Sequence, residues 1–256
     1  MRLDKYLAEH GFESRTKAAR AIAEGRVFIN GKVAKASDEV DSSDAVIIRD
    51  TTVPFVSEGG AKLQKALDEF AVDVRGKVFA DIGASTGGFT DCLLRAGAAR
   101  VYAVDVGKSQ LHPSLAADRR VIAMDGKNAR YLCRADFPET IDGAVVDVSF
   151  ISLKLVLPAV ASVLGEGGVL FALIKPQFEC GGRGLDKHGI LKDENRREEV
   201  VREVCAFAVA QGLYLQGLTE APRRVRKNVE YVALFSGCAE GAVSAEERIA
   251  ALRRRG

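Results

Sequence analysis

Residues 78–90 read Val78-FADIGASTGGF-Thr90, and the interpretation of this stretch decides the architecture of the chain. A short apolar run reads as a strand reaching Asp81. Gly83, Gly87 and Gly88 follow, and Phe89-Thr90-Asp91 opens a helix. A strand, a glycine turn and a helix in this order let backbone N–H groups and a helix N-terminus approach a ligand closely, where side chains would intrude.

Two common ligands are excluded by spacing. A triphosphate-binding G-x-x-x-x-G-K-[ST] loop fits except that Phe89 stands where the lysine must reach the phosphates. A dinucleotide G-x-G-x-x-G turn fails because Ala84 and Ser85 follow Gly83. The remaining form, D-x-G-x-x-x-G-G, predicts S-adenosylmethionine, a cofactor without phosphates. A ribose diol in a doubly wound fold is usually held by a carboxylate at the end of the second strand. Asp105, closing Arg100-VYAV-Asp105, supplies one. The predicted cofactor set is Asp81, Gly83, Ser85, Thr86, Gly87, Gly88, Phe89, Asp105 and Val106. Asp125 and Asn128 are expected to reach the adenine end, and Asp147 to close the set.

Outward from this turn, strands are predicted around Val78, Arg100, Val121, Ala144, Val169 and Tyr231, alternating with helices. That alternation implies an α/β fold, a mostly parallel sheet covered on both faces. Three apolar runs meet charged residues: V-V-Asp147-V-S-F, A-L-I-Lys175-P-Q-F-E and N-V-Glu230-Y-V. A lone charge there would be costly to bury, so Asp147 and Lys175 are expected to face one another or a shared cleft. Gly181 to Gly189 reads as a mobile loop and candidate lid.

Before this region lies a different pattern. Leu3, Tyr6 and Leu7 share a helical face that Gly11 ends; Ser14 begins a second helix that Gly25 ends; Asn30-Gly31 marks a hairpin between V-F-I and K-V. The expected domains are residues 1–50, a linker at 51–58, and residues 59–256. A net charge of +2 gives no global basic field, so any nucleic-acid contact must come from a local patch. The five cysteines form no C-x-x-C and the three histidines no ligand pair, so no metal is expected. The charged N-terminus cannot be a signal peptide, and the run 151–164 is too short and interrupted to span a bilayer. A cytoplasmic monomer without membrane contact is expected.

The segment RLDKYLAEHGFESRTKAARAIAEGRVFINGKVAKASDEV resembles the S-four (alpha-L) RNA-binding module of ribosomal proteins and pseudouridine synthases. The resemblance implies that Arg15, Lys17, Arg20, Arg26 and Lys32 face folded RNA. The phrases GASTGGFTDCLL, DVSFISL and KPQFE make the whole chain resemble the TlyA family of ribosomal RNA 2′-O-methyltransferases, some of which carry the label haemolysin. Its second domain resembles the FtsJ-like methyltransferases, a Rossmann-like fold with a Lys-Asp-Lys-Glu tetrad. Carried over by motif, that tetrad is Lys62, Asp147, Lys175 and Glu230.

The resemblance implies methyl transfer from S-adenosylmethionine to a ribose 2′-hydroxyl, on a cytidine of ribosomal RNA. A ribose hydroxyl is a poor nucleophile and needs in-line placement and help in losing its proton. Lys175 is the expected base, Lys62 the group that orients the hydroxyl, with Asp147 holding the lysines and Glu230 positioning Lys62 or the ribose. Two departures from the family pattern stand out: Glu58 occupies a usual arginine position, and P-R-R-V-R-K replaces a glycine-rich loop before Glu230. Two other readings remain, an RNA-binding protein with an inactive methyltransferase domain and a membrane-lysing protein.

Overall fold

The computed structural model describes residues 1–256 apart from 11, 13, 24, 26, 36, 42, 49–54, 223–226 and 255–256; the side chains of residues 17 and 20 also lie outside it. The chain forms two compact units, one containing Met1–Thr52 and one containing Val53–Arg223 and Asn228–Gly256.

In the first unit, α1 (Leu3–Glu9) and α2 (Arg15–Ala23) precede a sheet of β1 (Val27–Ile29), β2 (Lys32–Val33) and β3 (Val46–Ile48) in the order β2-β1-β3. Leu3 and Leu7 recur four residues apart, so one helical stripe is apolar. Both are fully buried against Ala18, Ala21, Ile22 and Val27. Asn30 and Gly31 take φ 50° and 80°, the left-handed pair that a two-residue hairpin needs for its twist to match the strands. The expected helix-ending Gly11 lies outside the described residues, whereas Gly25 ends α2 with φ 69°.

The second unit holds α3 (Gly59–Phe70), β4 (Val78–Ile82), α4 (Gly88–Arg95), β5 (Arg100–Asp105), α5 (Pro113–Ala116), β6 (Val121–Asp125), β7 (Ile141–Val146), α6 (Leu157–Val163), β8 (Leu164–Ile174), α7 (Pro176–Glu179), α8 (Glu194–Ala210), β9 (Tyr214–Glu220), β10 (Tyr231–Ser236) and α9 (Ala245–Arg253). Its seven strands run β6-β5-β4-β7-β8-β10-β9. The five from β6 to β8 are parallel, and β10 is antiparallel to both its neighbours.

Every predicted strand is present. Sequence periodicity missed β9, whose run Y-L-Q-G-L-T-E is too polar to stand out, and could not show that β10 is reversed. β4 and β7 are fully buried over most of their length, as strands covered on both faces must be. Helices on the two faces enclose two apolar clusters, one around Ile141, Leu157 and Phe235, the other around Leu63, Phe79 and Phe171.

Residues 55–58, expected to end the linker, are tied to the sheet unit. Phe55 and Val56 pack on the second cluster, and Val56 N donates to Asp91 Oδ2 at 2.8 Å. The 181–189 segment, expected as a mobile loop, carries hydrogen bonds toward its C-terminal end. Asp186 Oδ1 accepts from His188 N and Ile190 N, and Asn228 bonds both Leu191 N and Gly189 O. Among the described residues no helix is long and apolar enough to cross a membrane.

Candidate active site

Chain order turns back between β4 and β7, because β5 and β6 extend the sheet to one side of β4 while β7 and β8 extend it to the other. Ligands in open α/β sheets sit beyond the carboxyl ends of the strands at such a switch point. Here the two strand ends touch. Gly83 has φ 83°, and a Cβ added to it would stand 2.5 Å from the Asp147 carbonyl oxygen, so only glycine fits. Gly88, opening α4, would meet Ser57 Oγ at 2.1 Å and Gly60 N at 3.0 Å, so its missing side chain lets the starts of α3 and α4 close on each other.

A small polar pocket lies at this junction, lined by Ser57, Gly59, Asp81, Gly83, Ala84, Gly88, Phe89 and Asp147. Asp81 is fully buried. Its Oδ2 accepts from Thr90 N at 2.9 Å and Thr90 Oγ1 at 2.6 Å, while its Oδ1 has no partner. Burial pushes its carboxyl up to about 7, and the nearby carboxylates of Asp147 and Asp105 add to the rise. Its folded value thus lies above the ordinary 3.8, so its contribution to stability is lost as pH climbs from about 4 to about 7. An orphaned carboxylate oxygen in a field of two further carboxylates suits a cationic ligand.

Asp105, at the end of β5, accepts from Ser85 N at 2.8 Å and Gly107 N at 2.7 Å, so it shapes the glycine turn. Ser85 and Thr86 are exposed, and Val106 is 69% exposed beside Asp105. Phe89 lines the pocket while packing in the second core cluster, the residue being 3% exposed. Asp125 accepts from Ser109 N at 2.8 Å. Asn128 caps the turn 129–131 through Arg130 N.

The four tetrad residues form two ion pairs. Lys62, in the first turns of α3, places Nζ 2.5 Å from Glu230 Oε2, just before β10. Lys175, following β8, places Nζ 2.5 Å from Asp147 Oδ1 and donates to Ser149 Oγ at 2.8 Å. Lys175 is 8% exposed. Gln177 links the pairs, donating from Nε2 to Glu230 Oε1 at 3.4 Å while standing two residues from Lys175. Asp147 was expected to hold both lysines and Glu230 to position Lys62 or the ribose; in the structure Asp147 pairs with Lys175 and Glu230 with Lys62. β10 runs against β8, so its first residues lie level with the end of β8, Tyr231 opposite Ile174.

In the first unit, Arg15 pairs with Asp4 at 2.6 Å and Lys32 is exposed. Asp4 is itself only 9% exposed, and the guanidinium of Arg15 holds its carboxyl below the usual range. The side chains of Lys17 and Arg20, and Arg26, lie outside the described residues, as does most of the basic run 223–227.

The family model for FtsJ-like methyltransferases matches residues 55–236, and that for S4 domains matches residues 1–46. The chain is 37% identical over 249 residues to the 16S/23S rRNA (cytidine-2′-O)-methyltransferase TlyA of Mycobacterium tuberculosis, covering 96% of this chain and 93% of that one. The chain belongs to the TlyA family of FtsJ-like methyltransferases. Another relative of this TlyA-family chain, hemolysin A of Brachyspira hyodysenteriae, is 39% identical over 92% of this chain and 99% of its own. A solved structure described as a hemolysin from Streptococcus thermophilus has 38% identity and a TM-score of 0.75, covering 99% of this chain and 96% of that one. An S-adenosylmethionine-dependent methyltransferase from Listeria monocytogenes shares the fold alone, at 14% identity and TM-score 0.53 over 70% of this chain and 99% of that one.

Sequence reasoning missed Ser149, Gln177 and Phe150. Phe150 is 91% exposed with φ 61°, and its ring leans on Phe178 at 4.9 Å. A bulky side chain held in the left-handed region is strained and marks a site. No spacing rule could have shown it.

Proposed function

We propose that this chain transfers a methyl group from S-adenosylmethionine to a ribose 2′-hydroxyl, on a cytidine of ribosomal RNA. The observation that carries this reading is the pairing of Lys62 with Glu230 and Lys175 with Asp147 at the switch point. The cofactor supplies an electrophilic methyl on a positive sulfonium. The residues present fit it: Asp81 offers its orphaned Oδ1, the glycine turn leaves room, and Asp105 stands at the end of β5 for the ribose diol.

Lys175, in its neutral form, accepts the 2′-hydroxyl proton at Nζ. Lys62 donates from Nζ to the hydroxyl oxygen and fixes its direction, Glu230 holds Lys62, and Asp147 with Ser149 holds Lys175. Such placement is worth several powers of ten in rate when the reacting atoms are aligned. Asn128 and Asp125 take the adenine end. The first unit, ending before Phe55, brings RNA through Arg15, Lys17, Arg20, Arg26 and Lys32, and the protein works as a cytoplasmic monomer. Mass mapping of 2′-O-methyl groups in ribosomal RNA, from cells with and without the protein, tests the reaction. Identical maps would sink it.

Two variants separate the halves of this reading. Asp105→Ala should weaken S-adenosylmethionine by at least about 1.5 kcal/mol, roughly tenfold, since hydrogen bonds to a charged group are lost. Calorimetric titration reads this directly, and unaltered affinity in a folded variant would assign the ribose to another acid. Arg15→Gln with Lys32→Gln should flatten the salt dependence of RNA binding by about two units, one per lost phosphate contact, with cofactor affinity intact. An unchanged slope would remove these two cations from the RNA surface.

A further inference from the structure

A loop and the short helix α7 frame Lys175. One runs from Asp147 to Leu153 and carries Asp147, Ser149 and Phe150; the other runs from Lys175 to Glu179 and carries Lys175, Gln177 and Phe178. At their near end they are joined by the Lys175 ion pair with Asp147 and its hydrogen bond to Ser149. In the middle the Phe150 ring leans on Phe178, whose own ring lies 5.9 Å from Lys175 Nζ. At the far end Glu179 accepts two hydrogen bonds from the facing loop: Ser152 Oγ donates to Oε2 at 2.6 Å and Leu153 N to Oε1 at 2.6 Å. Leu153 opens the turn 153–155, so the Glu179 carboxylate also sits where that turn presents an unpaired N–H.

Glu179 carries no expected role and touches none of the four tetrad side chains in the bonds described. Its two charge-assisted bonds are nonetheless the far anchor of the loop whose near end holds Lys175. They also bear on the strained backbone at Phe150, which lies between this anchor and the Lys175 contacts of Asp147 and Ser149. We propose that Glu179 is a positioning residue for methyl transfer: it clamps the 147–153 loop to the 175–179 turn so that Asp147 and Ser149 keep Lys175 aimed at the acceptor hydroxyl. This rests on the function proposed above. A lost clamp leaves the cofactor turn and the RNA-binding unit in place and displaces only the acceptor side. A misplacement on the order of 1 Å costs about a hundredfold in rate.

The test compares Glu179→Gln, Glu179→Asp and Ser152→Ala with the unaltered chain. Glutamine removes the charge and one acceptor oxygen: it can accept from Leu153 N but meets Ser152 Oγ only as a neutral amide donor, so both charge-assisted bonds are lost. Single-turnover methyl transfer should fall about ten- to a hundredfold in Glu179→Gln, with KM for RNA and affinity for S-adenosylmethionine unchanged. Ser152→Ala should cost less, and adding it to Glu179→Gln should cost little more, because both remove the same clamp. Glu179→Asp keeps the charge and should recover part of the rate. Hydrogen exchange without RNA should speed up at the Leu153 amide and neighbouring loop amides, with β8 unchanged. A rate within twofold of the unaltered chain, or a loss matched by weaker cofactor binding, overturns the proposal. An unaltered chain that methylates no ribose sinks the functional reading instead, and the clamp then stands or falls on the exchange measurement alone.

Discussion

Lys175→Met should lower single-turnover methyl transfer by about 10²–10⁴-fold, the range that a positioned acid or base contributes. Methionine matches the length of the lysine stem and fills the same mostly apolar surroundings, so the fold should survive. The loss should hold at every pH, because the proposed proton acceptor is gone, and cofactor affinity should persist. Lys62→Met should behave differently. It leaves Glu230 with only its Gln177 contact and removes the donor that fixes the hydroxyl, so the rate falls while a pH-dependent remainder is retained. Stopped single-turnover assays on both variants decide between these roles; a Lys175→Met enzyme with most of its activity would move the base elsewhere.

Binding of S-adenosylmethionine should weaken about tenfold for each pH unit below about 7, reaching roughly a hundredfold at pH 5. The sign follows from Asp81. Its carboxyl is neutral below about 7 in the ligand-free protein, and a cation is attracted only to the ionised form. Below that pH the proton must first leave, and each unit costs 1.36 kcal/mol. Above it the affinity should level off. Asp81→Asn should remove this slope, leaving only the titration of the cofactor's own groups, and calorimetry in two buffers of different ionisation enthalpy should register the released proton in the unaltered protein alone. Parallel pH profiles for the two proteins would show that Asp81 does not meet the cation.

Much of this was legible in the sequence because its cause is local. The turn after β4 can be read because glycines are forced where backbones meet, as Gly83 against the Asp147 carbonyl illustrates. Asp147 and Lys175 stood out because charges that close apolar runs need a partner, and they are each other's. What could not be read depends on residues distant in the chain. The contact of Gln177 with Glu230 spans 53 positions and exists because β10, inserted between β8 and β9, begins level with the end of β8.

The reversed strand β10 also bears on how the protein comes into being. β10 follows β9 in the chain yet takes the sheet's sixth position, between β8 and β9, and Glu230 precedes it. On the role proposed for Glu230, a nascent chain that has already made its glycine turn, Asp147 and Lys175 still lacks the partner that holds Lys62. On that role the site is complete only once β10 has emerged and slid between β8 and β9, so a chain still short of Glu230 has its base in place before it has the group that aims the acceptor.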